Sequence, residues 1–105
     1  MPYLEYDSNG ISVSFILPRS HGTKVDIGRD DNNDLVLSDR EVALFHASVF
    51  RANNGLYVLM NRGLSQFSVN GHDFSELKIL REGDSIRVGN SVLRYAEIQS
   101  ALIAP

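Results

Sequence analysis

Apolar and polar residues alternate with a period of two along most of the chain. Ile11, Val13, Phe15 and Leu17 are interleaved with Ser12, Ser14 and Ile16. The same pattern returns at residues 24–27, 35–37, 47–51 and 85–88. A period of two sends successive side chains to opposite faces of an extended backbone, so each run predicts a half-buried β-strand. Turn signals separate the runs. Asn9-Gly10, Asn54-Gly55 and Asn70-Gly71 are Asn-Gly pairs, the residues that most readily take the positive φ of a tight hairpin. Gly83-Asp84 and Gly89-Asn90 mark two further turns. Short strands with turns about every 8–12 residues predict an all-β sandwich or barrel. Tyr3, Tyr6, Phe15, Phe50, Tyr57 and Tyr95 fall in expected strands and read as core or cross-strand packing. The one segment with room for a helical turn is 39–45, too short to alter the class.

Length and charge narrow the function. At 105 residues the chain builds one core, and the reading is a single domain over 1–98 with a tail over 99–105. A formal net charge of −3, with basic and acidic residues interspersed, offers no field for nucleic acid or an anionic membrane. No stretch approaches the roughly 20 apolar residues of a spanning helix, and residues 1–7 lack the pattern of a signal peptide. With no cysteine there are no disulfides and no thiolate sites. The expectation is a soluble domain, cytoplasmic or on the cytoplasmic side of a larger protein, without membrane insertion.

Catalytic and metal signatures are missing from the sequence. The histidines, His21, His46 and His72, are far apart and form no His-x-x-His pair. Neither a Gly-x-Ser-x-Gly elbow nor a Gly-rich phosphate loop occurs. The Asp30–Asp34 cluster lacks the central Gly and terminal Glu of a calcium loop. The reading is therefore not an enzyme, with no cofactor and no metal.

One series of motifs points further. Gly28-Arg29 follows the strand at 24–27. Asn33-Asp34-Leu35-Val36-Leu37 comes next, then His46-Ala47, Asn70-Gly71, and Gly83-Asp84-Ser85-Ile86-Arg87-Val88-Gly89. This order resembles the forkhead-associated (FHA) family. The resemblance implies an FHA-like (SMAD/FHA) β-sandwich of about eleven strands in two sheets. It also implies that loops at one end of the sandwich bind a phosphothreonine peptide of a partner protein. Phosphothreonine carries about two negative charges and three strong acceptors, so a cationic fork with hydroxyl or amide donors suits it. Under the resemblance Gly28, His46, Asn70 and Gly71 are structural, and Arg29 faces the ligand.

Other positions depart from the family pattern. The hydroxyl donor three residues before the His is replaced by Ala43, and the polar residue after it by Leu44. Counting back from Asn70-Gly71 puts Ser65 where the family carries its peptide-orienting Asn, with Leu64 just before it. Arg40 is a candidate replacement cation. The expected function is a protein-interaction domain that binds a protein or peptide with weak or no dependence on phosphothreonine, through Arg29, Arg40, Ala43, Leu44, Leu64 and Ser65. It would act as a scaffold or assembly domain in a signalling or secretion system. The alternative is a true phosphothreonine reader with an unusual pocket, downstream of a Ser/Thr kinase.

Overall fold

A computed structural model describes residues 2–20, 22–63 and 65–97. Met1, His21, Leu64, Ile98 and the tail expected over 99–105 lie outside the described residues. Among the described residues the chain forms eleven strands. They are β1 (Tyr3–Ser8), β2 (Ile11–Ile16), β3 (Lys24–Gly28), β4 (Leu35–Val36), β5 (Ala47–Arg51), β6 (Tyr57–Asn61), β7 (Phe67–Val69), β8 (His72–Phe74), β9 (Leu77–Ile79), β10 (Ser85–Val88) and β11 (Ser91–Ala96). One sheet has the order β2-β1-β11-β10-β7-β8 and the other β4-β3-β5-β6-β9. The sandwich expected from alternation and from the FHA resemblance is the fold observed.

The alternating apolar residues meet between the sheets. Leu4, Leu93, Tyr95, Ile86, Val88 and Val69 come from the first sheet, and Val25, Ile27, Val49, Tyr57 and Leu59 from the second. Each fully buried side chain of this kind contributes about 1.5–3 kcal/mol. Tyr57 and Tyr95 pack edge to face across the sheets with centroids 6.2 Å apart. Buried phenols need partners: Tyr57 donates to the Pro18 carbonyl and Tyr95 to Glu97 Oε2.

Turn chemistry fixes the registers. Asn9 and Gly10 take φ of +53° and +82°, and Asn70 and Gly71 take +53° and +85°. Both residues of each pair are therefore left-handed, and each pair closes a two-residue hairpin. Asn54-Gly55 differs: only Gly55 has positive φ, and its N–H donates to the Ala52 carbonyl. Residues 39–45 contain no helix. Val42 N–H donates to the Asp39 carbonyl, while Asp39 Oδ1 accepts from Glu41 N–H. A side-chain carboxylate that takes the N–H two residues on favours a turn over helix propagation. Strands β7, β8 and β9 have three residues each, too few for alternation to reveal them.

The second sheet also has an outer face. The registers align Lys24, Phe50, Val58 and Ile79 in one row across β3, β5, β6 and β9. Asp26, Ser48, Met60 and Leu77 form the next row. Leu77 and Ile79 are exposed there.

Candidate functional site

Strand β3 ends in Gly28, where the backbone passes against the 43–46 loop. A Cβ on Gly28 would meet Leu44 O far inside contact distance and Asn33 Nδ2 at 2.7 Å. The missing side chain is thus what allows the approach. The two segments are stitched together by Arg29 N–H to Ala43 O (3.0 Å), Asp30 N–H to Leu44 O (3.1 Å) and His46 N–H to Ile27 O (2.9 Å). Asn33 is buried beneath them, and its amide donates to Asp30 O at 2.8 Å and Leu44 O at 2.6 Å.

His46 ties this loop to the next one. Its Nδ1 accepts the Ala43 N–H at 3.0 Å, and Nε2 lies 2.6 Å from the Gln66 carbonyl. An acceptor Nδ1 and a carbonyl at Nε2 assign the proton to Nε2. The ring is buried, with both nitrogens engaged in holding backbone.

A third tie comes from Asp39. Its carboxylate accepts from Glu41 N–H (2.9 Å), Asn90 N–H (2.6 Å) and Ser91 Oγ (3.1 Å). The Glu41 N–H is the main cause that holds this carboxyl below its ordinary value, with Asn90 and Ser91 adding to it against some desolvation. The same contacts fasten the 38–46 segment to the β10–β11 hairpin. Gly89, with φ of +61°, lets the hairpin close onto the segment, since a Cβ there would sit 2.8 Å from the Glu41 carbonyl carbon.

Between these loops lies an open pocket of about 640 Å³. Arg29, Arg40 and Arg87 line it with Ala43, Ser65 and Ser68. Glu41 and Asp73 also border it and offset part of the positive charge. Arg29 is steadied by its Nε donating to Val42 O at 3.0 Å. Among the described residues, no carboxylate lies within ion-pair distance of it. Arg87 is held more loosely, through Gly89 O at 3.3 Å and Asn90 Oδ1 at 3.4 Å.

Of the residues singled out from the sequence, Arg29, Arg40, Ala43, His46 and Ser65 converge on this pocket. Leu44 does not line it. Its carbonyl is taken up by Asn33 and Asp30 while its side chain is exposed elsewhere. Leu64 lies outside the described residues. Gly28 sits behind the pocket wall, and Asn70-Gly71 closes the far end of the β7–β8 hairpin. Asn70 is pinned by its amide donating to Asp84 Oδ1 at 2.9 Å and by its own Oδ1 accepting Ser85 N–H at 2.9 Å. Sequence reasoning missed Arg87, Ser68 and Asp73. Alternation in β10 does put Arg87 on the outer face. Only the pairing of β10 with β7 and of β7 with β8 sets it beside Ser68 and Asp73.

Comparison with known proteins bears on this frame. No curated protein sequence matches the chain significantly. Solved structures do match in fold. The FHA domain of CT664 from Chlamydia trachomatis superposes with a TM-score of 0.81 at 20% identity, covering 92% of this chain and 97% of that one. The FhaA FHA domain, solved in complex with the intracellular domain of Rv3910, gives 0.77 at 22% identity over 90% and 99%. EmbR of Mycobacterium tuberculosis, solved with a low-affinity phosphopeptide, gives 0.73 at 23% identity over 90% of this chain and 24% of that one. These likenesses show that the sandwich is an FHA fold. A family model described as "Inner membrane component of T3SS, cytoplasmic domain" matches residues 9–99. The chain therefore belongs to the T3SS inner-membrane-component cytoplasmic-domain family, built on the FHA fold.

Proposed function

We propose that this chain is a non-catalytic protein-interaction module on the cytoplasmic side of a type III secretion system. In this reading residues 1–98 are the interaction domain and 99–105 a tail. The module contacts a protein or peptide partner through the loops around the pocket, with weak or no dependence on phosphothreonine. The observation that carries this reading is Ala43. It stands on the pocket wall three residues before His46, has no hydroxyl, and spends its own N–H on the His46 ring. Each hydrogen bond to an ionised group is worth about 1.5–3 kcal/mol. Absence of two or three such donors lowers phosphopeptide affinity by on the order of a hundredfold or more. That two neighbours of the fold were solved with a protein domain and with a phosphopeptide supports a protein or peptide partner here.

A second reading is favoured by one feature. Arg29, Arg40 and Arg87 gather on the same pocket with Ser65 and Ser68, a donor set suited to a phosphate. Calorimetric titration with a phosphothreonine peptide library and its unphosphorylated counterparts separates the two. The first reading expects no phosphate-dependent binding in the micromolar range. It also expects Ala43→Ser to raise phosphopeptide affinity by about tenfold or more. Micromolar, phosphate-dependent binding that disappears in Arg29→Ala overturns it in favour of the second.

A further inference from the structure

Among the described residues the two sheets end in four edge strands, β2 and β8 in one, β4 and β9 in the other. An edge strand exposes unpaired backbone N–H and C=O groups, and folded proteins guard such strands by shortness or by charge. Three of the four are guarded. β4 has two residues, and β8 has three and carries Asp73. β9 has three and carries Lys78, whose ammonium donates to the Ile79 carbonyl at 2.6 Å. β2 is different. It runs Ile-Ser-Val-Ser-Phe-Ile over Ile11–Ile16, six residues without a charge, a proline or a glycine. Ile11 is 67% exposed, more than any other large apolar residue among those described. No residue of β2 lines the arginine pocket, so this edge is a separate surface.

The register fixes which backbone groups are free. Leu17 N–H donates to the Pro2 carbonyl at 2.9 Å, one position beyond the Tyr3–Ile16 pair. Hydrogen-bonded pairs recur at every second position of an antiparallel ladder. The odd-numbered residues of β2 therefore bond to β1, and Ser12, Ser14 and Ile16 turn their N–H and C=O to the free edge. The side chains alternate as well. Phe15 packs against the core. Ile11 and Val13 share its inner side, and Ser12, Ser14 and Ile16 take the outer one. Beneath the edge, an open groove of about 380 Å³ lies between β2 and β3. Phe15, Leu17, Pro18 and Val25 give it apolar walls, and Lys24 and Asp34 also border it.

These features suit a second copy of the same strand. A two-fold axis normal to the sheet at Ser14 sets β2 antiparallel to β2 of another chain. Ser14 then meets Ser14, and Ser12 meets Ile16 of the other copy. All are positions with free backbone groups, so the two strands exchange N–H···O=C bonds along their whole length. On the inner side Val13 meets Phe15, and Ile11 meets Leu17, of the other copy. Every pair of that row is apolar. Leu17 is buried and lines the groove from within, so the exposed Ile11 has room in the groove beside it. The paired strands bring no charge together. The nearest carboxylates of the outer face, Glu5 and Asp7, stand one strand back, opposite Ser14 and Ser12. Pro18, which has no N–H, ends the ladder. The same strand serves on both sides, as an isologous contact requires.

We propose that β2 is the contact edge of a two-fold homodimer in which two copies of this chain pair strand to strand about Ser14. One short strand buries little area, so the association is weak, with a Kd on the order of 100 μM. Sedimentation velocity from about 10 μM to about 1 mM chain, with circular dichroism to verify folding, tests it. Ser14→Pro removes an N–H that β1 does not use and should leave a folded monomer. Ile11→Asp should weaken the dimer by about tenfold or more. Val92→Asp, at an exposed apolar position of β11 two strands in from the edge, should leave it unchanged. Cysteine reads the register, since the chain has none of its own. Facing Cα atoms of a hydrogen-bonded pair lie about 5.5 Å apart, within disulfide reach. Under mild oxidation Ser14→Cys should cross-link to itself, and Ser12→Cys should cross-link to Ile16→Cys in preference to itself. A monomer throughout the concentration range overturns the proposal. So does a dimer that persists in folded Ser14→Pro, or a Ser14→Cys chain that yields no disulfide dimer. If Ser14→Pro fails to fold, Ile11→Asp decides, and a dimer of undiminished strength in that variant overturns the proposal.

Discussion

Replacing Gly28 by alanine sets two physical effects against each other. Gly28 is not among the glycines of positive φ, so the backbone accepts an alanine. On chain entropy alone the change should stabilise the fold by about 0.4–1 kcal/mol. The surroundings say the opposite. The added carbon would be driven into Leu44 O, would lie 2.7 Å from Asn33 Nδ2, and would lie 2.9 Å from the Leu44 carbonyl carbon. None of these is the free end of a flexible side chain: two are backbone, and the third belongs to a buried amide held at both Asp30 O and Leu44 O. Relieving the clash means moving the 43–46 segment away from β3. That endangers the hydrogen bonds from Asn33 Nδ2 and Asp30 N–H to Leu44 O. Overpacking costs about 1–3 kcal/mol, and each lost hydrogen bond about 1 kcal/mol. The net destabilisation is then about 2–4 kcal/mol after the entropic gain is deducted, a large part of the 5–15 kcal/mol available to a domain. For a chain of this size that lowers the melting temperature by about 10–25 °C. Urea unfolding followed by circular dichroism measures it directly. A Gly28→Ala variant as stable as the wild type, or more so, would refute the reasoning, because entropy would then have outweighed contact.

Two further substitutions probe the same frame. His46→Ala removes the acceptor of Ala43 N–H and the donor to Gln66 O. It should destabilise the fold by about 2–4 kcal/mol, and it should broaden the amide resonances of residues 43–46 and 65–67 in NMR spectra. Unchanged spectra and stability would remove the histidine from its positioning role. Asp39 supplies a pH dependence whose sign follows from its lowered carboxyl value. A depressed folded value means that the stabilisation is fully present above the unfolded value, about 3.8, and is lost as pH falls through the folded value below it. Melting temperatures measured from pH 7 to pH 2.5 should fall more steeply below about pH 4 in the wild type than in Asp39→Asn. Parallel curves would show that the carboxylate contributes nothing as an anion.

Much of the frame was legible in the sequence because it rests on local chemistry. Alternation located β3, β5 and β10, and the Asn9-Gly10 and Asn70-Gly71 pairs close hairpins with both residues left-handed. Long-range pairing was harder to read. Arg87 is separated from Ser68 and Asp73 by more than a dozen residues. It joins them only because β10 pairs with β7, which pairs in turn with three-residue β8. No periodicity survives over three residues, so nothing local announces that neighbourhood. The motif alone places Leu44 beside Ala43 without saying which way its side chain faces; in the structure that side chain is exposed and does not line the pocket, while its carbonyl accepts from Asn33 and Asp30.

The groups that hold the loops share one property. Asn33 binds the carbonyls of Asp30 and Leu44, and His46 binds the Ala43 amide and the Gln66 carbonyl. Asp39 takes the amides of Glu41 and Asn90 together with the Ser91 hydroxyl. Gly28 and Glu41-Gly89 are approaches of backbone to backbone. Backbone groups are present whatever the residue, so this frame places almost no demand on the side chains at 43, 44 and 65. Those are the positions at which the resemblance to the FHA family leads one to expect a departure, whereas Gly28, His46 and the Asn70-Gly71 turn are expected to keep to it. Loop architecture and ligand chemistry are therefore separable here, and the pocket lining can change its donors without disturbing the sandwich. The consequence is measurable in one variant. Ala43→Ser, which restores a hydroxyl to the pocket wall, should leave the unfolding free energy within about 0.5 kcal/mol of the wild type. A large change in stability would mean that position 43 belongs to the frame after all, and the separation of the two would fail.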